Sequence, residues 1–227
     1  MAKKLITERD VLEKIKSGAT IIHVDADTLL TPSAKDAAFR HHIQVTLGQG
    51  TSGMNPRGVG TVVYIPPKDG TSASATKVIA LGSDHGGYRL KEILKQYLGE
   101  AGFSVADVGT TSEEPCDYPD FAYGVASMVA TGHAYRGIMI DGVGVASAIV
   151  ANKVPGIRAV PCYDEFVARS SREHNDANLL TLGGRVTGSE VAKAIVKVWL
   201  DTPFSGGRHQ GRVQKISDVE QRFTQQK

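Results

Sequence analysis

Val78-Ile79-Ala80-Leu81-Gly82-Ser83-Asp84-His85-Gly86-Gly87 is the stretch on which the fold turns. Four apolar residues in a row, two of them β-branched, read as a strand buried on both faces, the signature of a parallel sheet. The run breaks into a polar turn holding an acid and an imidazole next to two glycines. Asp84 or Ser83 alone would serve as a cap for a helix from about Tyr88 onward. Asp84 and His85 together, at the C-terminal end of a buried strand, suggest a site, because open α/β sheets bind ligands there. The glycines allow close approach of a ligand to the backbone, and the two side chains can move protons.

From Lys77 onward the same alternation repeats. Apolar strands are expected at 78–82, 103–108, 137–141, 157–161 and 178–182. Amphipathic helices are expected at 90–101, 119–131, 145–153, 164–173 and 188–200. In the first helix Leu90, Ile93, Leu94, Tyr97 and Leu98 share a face, and Gly102 follows the last turn. Five strands with intervening helices predict an α/β, Rossmann-like five-stranded parallel sheet with helices on both faces. Right-handed crossovers then gather the strand-end loops on one edge. A last helix, 210–224, carries Val213, Ile216, Val219 and Phe223 as an apolar stripe.

Upstream lie two segments of different character. Residues 1–43 read as a small N-terminal module. Thr7-Glu-Arg-Asp10 opens a short helix that Gly18 stops, Ala19–Val24 reads as a strand, and Thr31-Pro32 opens a second helix to about His42. Residues 44–76, punctuated by six glycines and three prolines, read as a linker carrying at most one strand, Thr61–Ile65. The C-terminal domain is then 77–227.

Bulk properties narrow the function. The 227 residues are 41% hydrophobic and 22% charged, an ordinary globular composition. A net charge of +2 with no basic stripe argues against nucleic acid. No apolar run is long enough for a membrane span, and the N-terminus lacks a secretory signal. Cys116 and Cys162 have no metal-ligand spacing, which fits free thiols in a reducing cytoplasm. His41-His42 is an adjacent pair with no third ligand, so no metal site is expected.

Three further segments bear chemistry. The third strand ends in Asp141-Gly-Val-Gly-Val-Ala-Ser147, where Gly142 and Gly144 expose backbone N–H groups ahead of a helix and form a cradle for an anion or oxyanion. The same letters approximate a dinucleotide fingerprint, with Asp164-Glu165 as an acidic pair beyond the next strand. The match falls on the third strand instead of the first, so a nucleotide cofactor is the lesser reading. Arg172-Glu-His-Asn-Asp176 sets His174 and Asn175 at a helix end. Gly206-Gly-Arg-His-Gln-Gly-Arg212 sets Arg208 and Arg212 four apart, on one turn, a spacing suited to a phosphate. Together these residues suggest an enzyme for a small phosphorylated compound.

As a set, Gly82-Ser-Asp-His-Gly-Gly87, Asp117-Tyr-Pro-Asp-Phe121, Ala151-Asn-Lys-Val-Pro-Gly-Ile-Arg-Ala159, Ser171-Arg-Glu-His-Asn-Asp176 and Gly207-Arg-His-Gln-Gly-Arg-Val213 resemble the ribose-5-phosphate isomerase B family, which includes galactose-6-phosphate isomerase subunits. The resemblance spans nearly all of 77–222. It implies a homodimer, or a tetramer of two such dimers, with active sites at the subunit interface. It also implies aldose–ketose isomerisation of a sugar phosphate with no metal or other cofactor. By the same resemblance, Asp84 and His85 contact the sugar and Tyr118 lines the pocket. His174 assists ring opening, Asn175 holds a hydroxyl or enediolate oxygen, Arg208 and Arg212 bind phosphate, and the Gly142–Ala146 backbone stabilises the enediolate. Many members carry a base cysteine where this chain has Asp141, and another branch uses a glutamate at or beside the position of Ala148. Val143 and Ala146 are further departures. Asp141 is therefore the expected base, since a desolvated carboxylate can abstract the C2 proton, although a helix N-terminus weakens it; the other reading of Asp141 is a cap for that helix. The alternative is a sugar-phosphate-binding or scaffolding homologue with altered or lost catalysis. The segment from Leu5 to Ala38 resembles short N-terminal modules of enzymes in bacterial microcompartments. That implies docking to a shell or cargo partner through 1–43.

Overall fold

A computed structural model describes residues 5–17, 21–24, 29–30, 34, 37–38, 41, 44–47, 63–65 and 77–224. The chain divides into two compact units, one N-terminal and one running from Ile65 to the C-terminus.

In the N-terminal unit, β1 (Leu5–Ile6) leads into α1 (Glu8–Lys16). The expected start signal operates: the Thr7 N–H and hydroxyl both donate to Asp10 Oδ2, at 2.7 and 2.8 Å, and hold that carboxyl below its ordinary range. β2 (Ile21–Val24) pairs in parallel with β4 (Gln44–Leu47), and β1 pairs with β3 (Leu29–Leu30). The sequence reading had assigned 44–47 to the linker; its four residues alternate polar and apolar too briefly to signal a strand without the partner. Ile6, Val11, Ile22, Ala34, Ala37 and Ala38 form a small core. The helix expected over 31–42 lies largely outside the described residues.

The C-terminal unit follows the alternating pattern: β6 (Val78–Ser83), α2 (Tyr88–Glu100), β7 (Ser104–Asp107), α3 (Tyr118–Ala130), β8 (Arg136–Asp141), α4 (Val145–Ala151), β9 (Ala159–Pro161), α5 (Glu165–Asn175), β10 (Leu179–Gly183), α6 (Ser189–Asp201) and α7 (Arg208–Thr224). The five strands β6–β10 pair in parallel in the order β7-β6-β8-β10-β9; β5 is the three-residue strand Val63–Ile65. Successive side chains take opposite faces. Ile79, Leu81, Ile138, Ile140, Leu180 and Leu182 pack under α2, α5 and α6 around Trp199. Ala80, Met139 and Leu179 pack under α3 and α4 with Phe121 and Val125. Helices thus cover both faces, as the uninterrupted apolar runs required.

Strand order reverses between β6 and β8, since the chain leaves β6 for β7 on one side and later builds β10 and β9 on the other. This switch point opens a crevice at the strands' C-terminal ends. Ser83 pairs with Ile140 and Asp141 with Gly183, so three turns emerge there side by side. At the opposite edge Arg136 is buried and donates to the carbonyls of Trp199, Leu200 and Thr202, closing the C-terminal end of α6.

Candidate active site

The three turns fit one another without side chains at their contacts. A Cβ on Gly87 would lie 2.3 Å from the Ile140 carbonyl oxygen, and one on Gly184 would lie 2.4 Å from that of Gly86. Gly87, not Ser83 or Asp84, is the N-cap of α2. Ser83 ends β6 instead, and its hydroxyl is buried with no hydrogen-bond partner among the described residues. Asp84 Oδ1 accepts the Gly87 N–H at 3.1 Å, closing the turn.

Asp84 is buried, and burial outweighs its backbone hydrogen bonds, so its pKa is raised; the negative charge of Asp141 adds to the rise. His85 Nδ1 lies 3.2 Å from both the backbone N and the carbonyl O of Cys116, with the Cys116 thiol at 3.9 Å. This contact anchors the loop that leads through Asp117 into Tyr118, the half-buried first residue of α3.

Asp141 is the most tightly held group of the site. Its Oδ1 accepts the N–H of Val143 at 2.8 Å and that of Gly144, and its Oδ2 accepts the N–H of Ser147 at 2.9 Å. Gly144 sits at φ 83° with its Cβ position 2.9 Å from the Leu182 carbonyl carbon, so both conformation and space restrict it to glycine. The amides of Val143 and Gly144, expected as a cradle for an enediolate, are thus turned onto the chain's own carboxylate. Gly142 and Ala146 are half-exposed and are not among the donors to Asp141. Arg185, on the third turn, is a cation the sequence reading passed over. Its N–H donates to the Gly142 carbonyl, and its side chain comes within 3.7 Å of where a Gly142 Cβ would stand. The signal for it was a Gly-Gly-Arg turn after a buried strand, the same placement as the turns at 84 and 141.

The remaining expected residues gather elsewhere. Helix α5 leaves the C-terminal end of β9 and returns to the start of β10, so His174 and Asn175 lie at the sheet's N-terminal edge. The eleven residues of α5 span about 16 Å between the two edges. His174, Asn175, Arg208 and Arg212 thus occupy the edge opposite the strand-end turns. Asp176, in the left-handed region at φ 48°, is the C-cap of α5, leaving His174 and Asn175 exposed. His174 stacks flat on His209, with ring centroids 4.3 Å apart and planes 10° from parallel. His209 is buried, and its Nδ1 has no partner among the described residues. Desolvation, then the charge of His174 and those of Arg208 and Arg212, lowers its pKa and favours the neutral ring. Arg208 and Arg212 are exposed on the first turns of α7 and make no ion pair among the described residues. Asp164, of the acidic pair in the dinucleotide reading, caps α5 by accepting the Val167 N–H at 2.7 Å. No group of three metal-binding side chains occurs among the described residues, and His42 lies outside them.

Comparison with known proteins settles the family. The ribose/galactose isomerase family matches residues 79–216. The chain belongs to that family. It is 50% identical over 146 residues to ribose-5-phosphate isomerase B of Escherichia coli K12, covering 64% of this chain and 98% of that enzyme. It is 42% identical over 144 residues to the D-erythrulose-4-phosphate isomerase of Pectobacterium atrosepticum, covering 63% of this chain and 94% of the other. Among solved structures, ribose-5-phosphate isomerase B of Clostridium thermocellum superposes with a TM-score of 0.64 at 51% identity, covering 64% of this chain and 99% of that one. The Mycoplasma genitalium enzyme, solved with bound ribulose-5-phosphate, gives 0.62 at 38% identity, covering 63% and 96%. The α/β, Rossmann-like parallel sheet is the fold these relatives share.

Proposed function

We propose that this protein interconverts ribose 5-phosphate and ribulose 5-phosphate through an enediolate, at a site assembled from two copies of the chain. The observation that supports this reading is the division of the polar residues between the two edges of the sheet. The crevice holds proton-transfer groups, Asp84, His85 and Asp141, with Tyr118 beside them. The far edge holds an imidazole, an amide and two unpaired guanidiniums, the groups a sugar phosphate needs for ring opening and phosphate binding. A twofold dimer that sets the far edge of one copy against the crevice of the other completes two equivalent sites. In each, His174 donates a proton to the ring oxygen, Asn175 holds a hydroxyl, and Arg208 and Arg212 take the phosphate, with Arg185 as a third cation from the crevice side. One of the two crevice carboxylates takes the C2 proton.

The test is turnover by the purified full chain of ribose 5-phosphate, with four-carbon and six-carbon sugar phosphates as competitors. The substrate is the one with the highest kcat/KM. Conversion of none of them while phosphate-dependent binding persists would favour a second reading, a sugar-phosphate-binding homologue without turnover. The occupation of the Val143 and Gly144 amides by Asp141 supports that alternative.

Residues 1–43 serve, on this account, as a docking module for a microcompartment shell or cargo partner. Deleting 1–76 should leave turnover within about twofold of the full chain while abolishing co-sedimentation with shells. No helix among the described residues is long and apolar enough to cross a membrane.

A further inference from the structure

The geometry points to Asp84, not Asp141, as the carboxylate that moves the proton between C2 and C1. This rests on the isomerase reading and names the base within it. The two acids stand on neighbouring turns at the switch point: the position a Cβ on Gly86 would take is 3.3 Å from both Asp84 Oδ1 and the Gly142 N. Their surroundings differ. Asp141 is 3% exposed and both of its oxygens are occupied, by the amides of Val143, Gly144 and Ser147. Protonating it would set a hydroxyl against a buried N–H and strand that donor without an acceptor. Asp84 is 6% exposed and holds one turn-closing hydrogen bond, from Gly87 to Oδ1, with the Gly86 amide as a lesser contact. Proton uptake at Oδ2 leaves that bond intact.

Paired carboxylates whose environments push them apart divide into one that stays ionised and one that exchanges protons. Here both oxygens of Asp141 are committed to the turn it organises, while Asp84 holds one turn-closing hydrogen bond and burial raises its pKa, which suits it to proton exchange. The charged groups acting on Asp84 are His85 on its own turn and Asp141 on the next; Arg185 lies over Gly142. Lys91 and Lys95 of α2 are engaged with Asp107 and Glu92.

The step balances within the substrate. The C2–H bond of the open-chain aldose breaks and its proton goes to Asp84. The electron pair forms the C1=C2 bond, and the carbonyl pair moves onto O1. A proton then passes from O2 to O1 through His85. As the C2=O bond forms, the C1=C2 pair takes the proton back from Asp84 at C1, giving the ketose.

The experiment compares Asp84→Asn and Asp141→Asn in the full chain, with kcat and KM on ribose 5-phosphate, its Kd by calorimetry, and exchange of the C2 hydrogen with deuterium from solvent. Asp84→Asn should lower kcat by about 10²-fold or more, nearly abolish exchange and leave Kd within a few-fold. Asp141→Asn should lose at least tenfold less. Equal or greater loss in Asp141→Asn, or a loss in Asp84→Asn confined to KM, overturns the assignment. The wild-type pH profile is a second measurement that does not depend on variant folding. Its acid limb in kcat should lie above the ordinary carboxylate range, and a limb at or below about pH 4 overturns the assignment as well. Absence of turnover and exchange in the wild type is a different failure, that of the isomerase reading itself.

Discussion

Asp141→Ala removes the acceptor for three backbone amides at once. Val143, Gly144 and Ser147 all donate to that carboxylate, and Gly144 and Ser147 are buried. A helix-capping acceptor is worth about 1 kcal/mol per donor, and a buried amide left without an acceptor costs about 1–3 kcal/mol. The exposed Val143 amide regains water, so the sum is about 3 kcal/mol. For a domain of this size that corresponds to a fall in Tm of about 10 °C. Asp141→Asn retains one acceptor oxygen, which can still take Val143 and Gly144. Only the Ser147 N–H then meets an amide nitrogen, and the expected cost is about 1 kcal/mol. The assay is urea unfolding followed by tryptophan fluorescence, because the chain's one tryptophan, Trp199, is fully buried in the C-terminal core and reports that domain alone. An Asp141→Ala variant within about 0.5 kcal/mol of wild type would refute the claim that this carboxylate organises the turn.

Three other outcomes follow from the same coordinates. Asp84 carries a raised pKa, so its ionised form is disfavoured in the fold. Asp84→Asn should therefore unfold at a higher temperature than wild type at pH 7, and the gap should close as pH falls and the wild-type carboxyl takes up its proton, which calorimetry across pH 4–7 would read. Lys91 is 1% exposed and bonds Asp107 at 2.6 Å, so Lys91→Met should cost about 3 kcal/mol in the urea assay, with Lys95 limiting the loss, and Lys91→Met/Asp107→Asn, which keeps an acceptor for the buried Gly109 N–H, should recover part of it. Burial pushes the Cys162 thiol up to about 12, whereas Cys116 is half-exposed, so a thiol reagent at pH 8 should label one cysteine in the native protein and the second only after unfolding.

The fold was legible because its strands are buried on both faces. Ile138-Met139-Ile140 and Leu179-Leu180 have no polar side to disguise them, and the helices between them carry single apolar stripes. β4 was not legible, since Gln44–Leu47 becomes a strand only through its pairing with β2. The site was legible in its parts and not in its assembly. Each polar turn stood out by composition, but the edge each occupies depends on whether it follows a strand or a helix. The 84 and 141 turns follow strands, whereas His174 and Asn175 end a helix, and α7 begins where α6 has returned the chain to the same far edge. Arg185 follows a strand and was open to the same logic. Capping by Asp141 was open from its place ahead of the helix, but its hold on three amides at once depends on backbone orientation, which residue types alone do not encode.

The proposed division of one site between two copies of the chain has a direct test in subunit mixing. Asp84→Asn and Arg208→Ala are each made alone, shown to be inactive, and then mixed in equal amounts under conditions that exchange subunits. If one copy supplies the crevice and the other the phosphate cations, half of the dimers are mixed and each carries one intact site. Activity should then return to about a quarter of wild type. A mixture as inactive as its components, after exchange has been verified, would contradict the account.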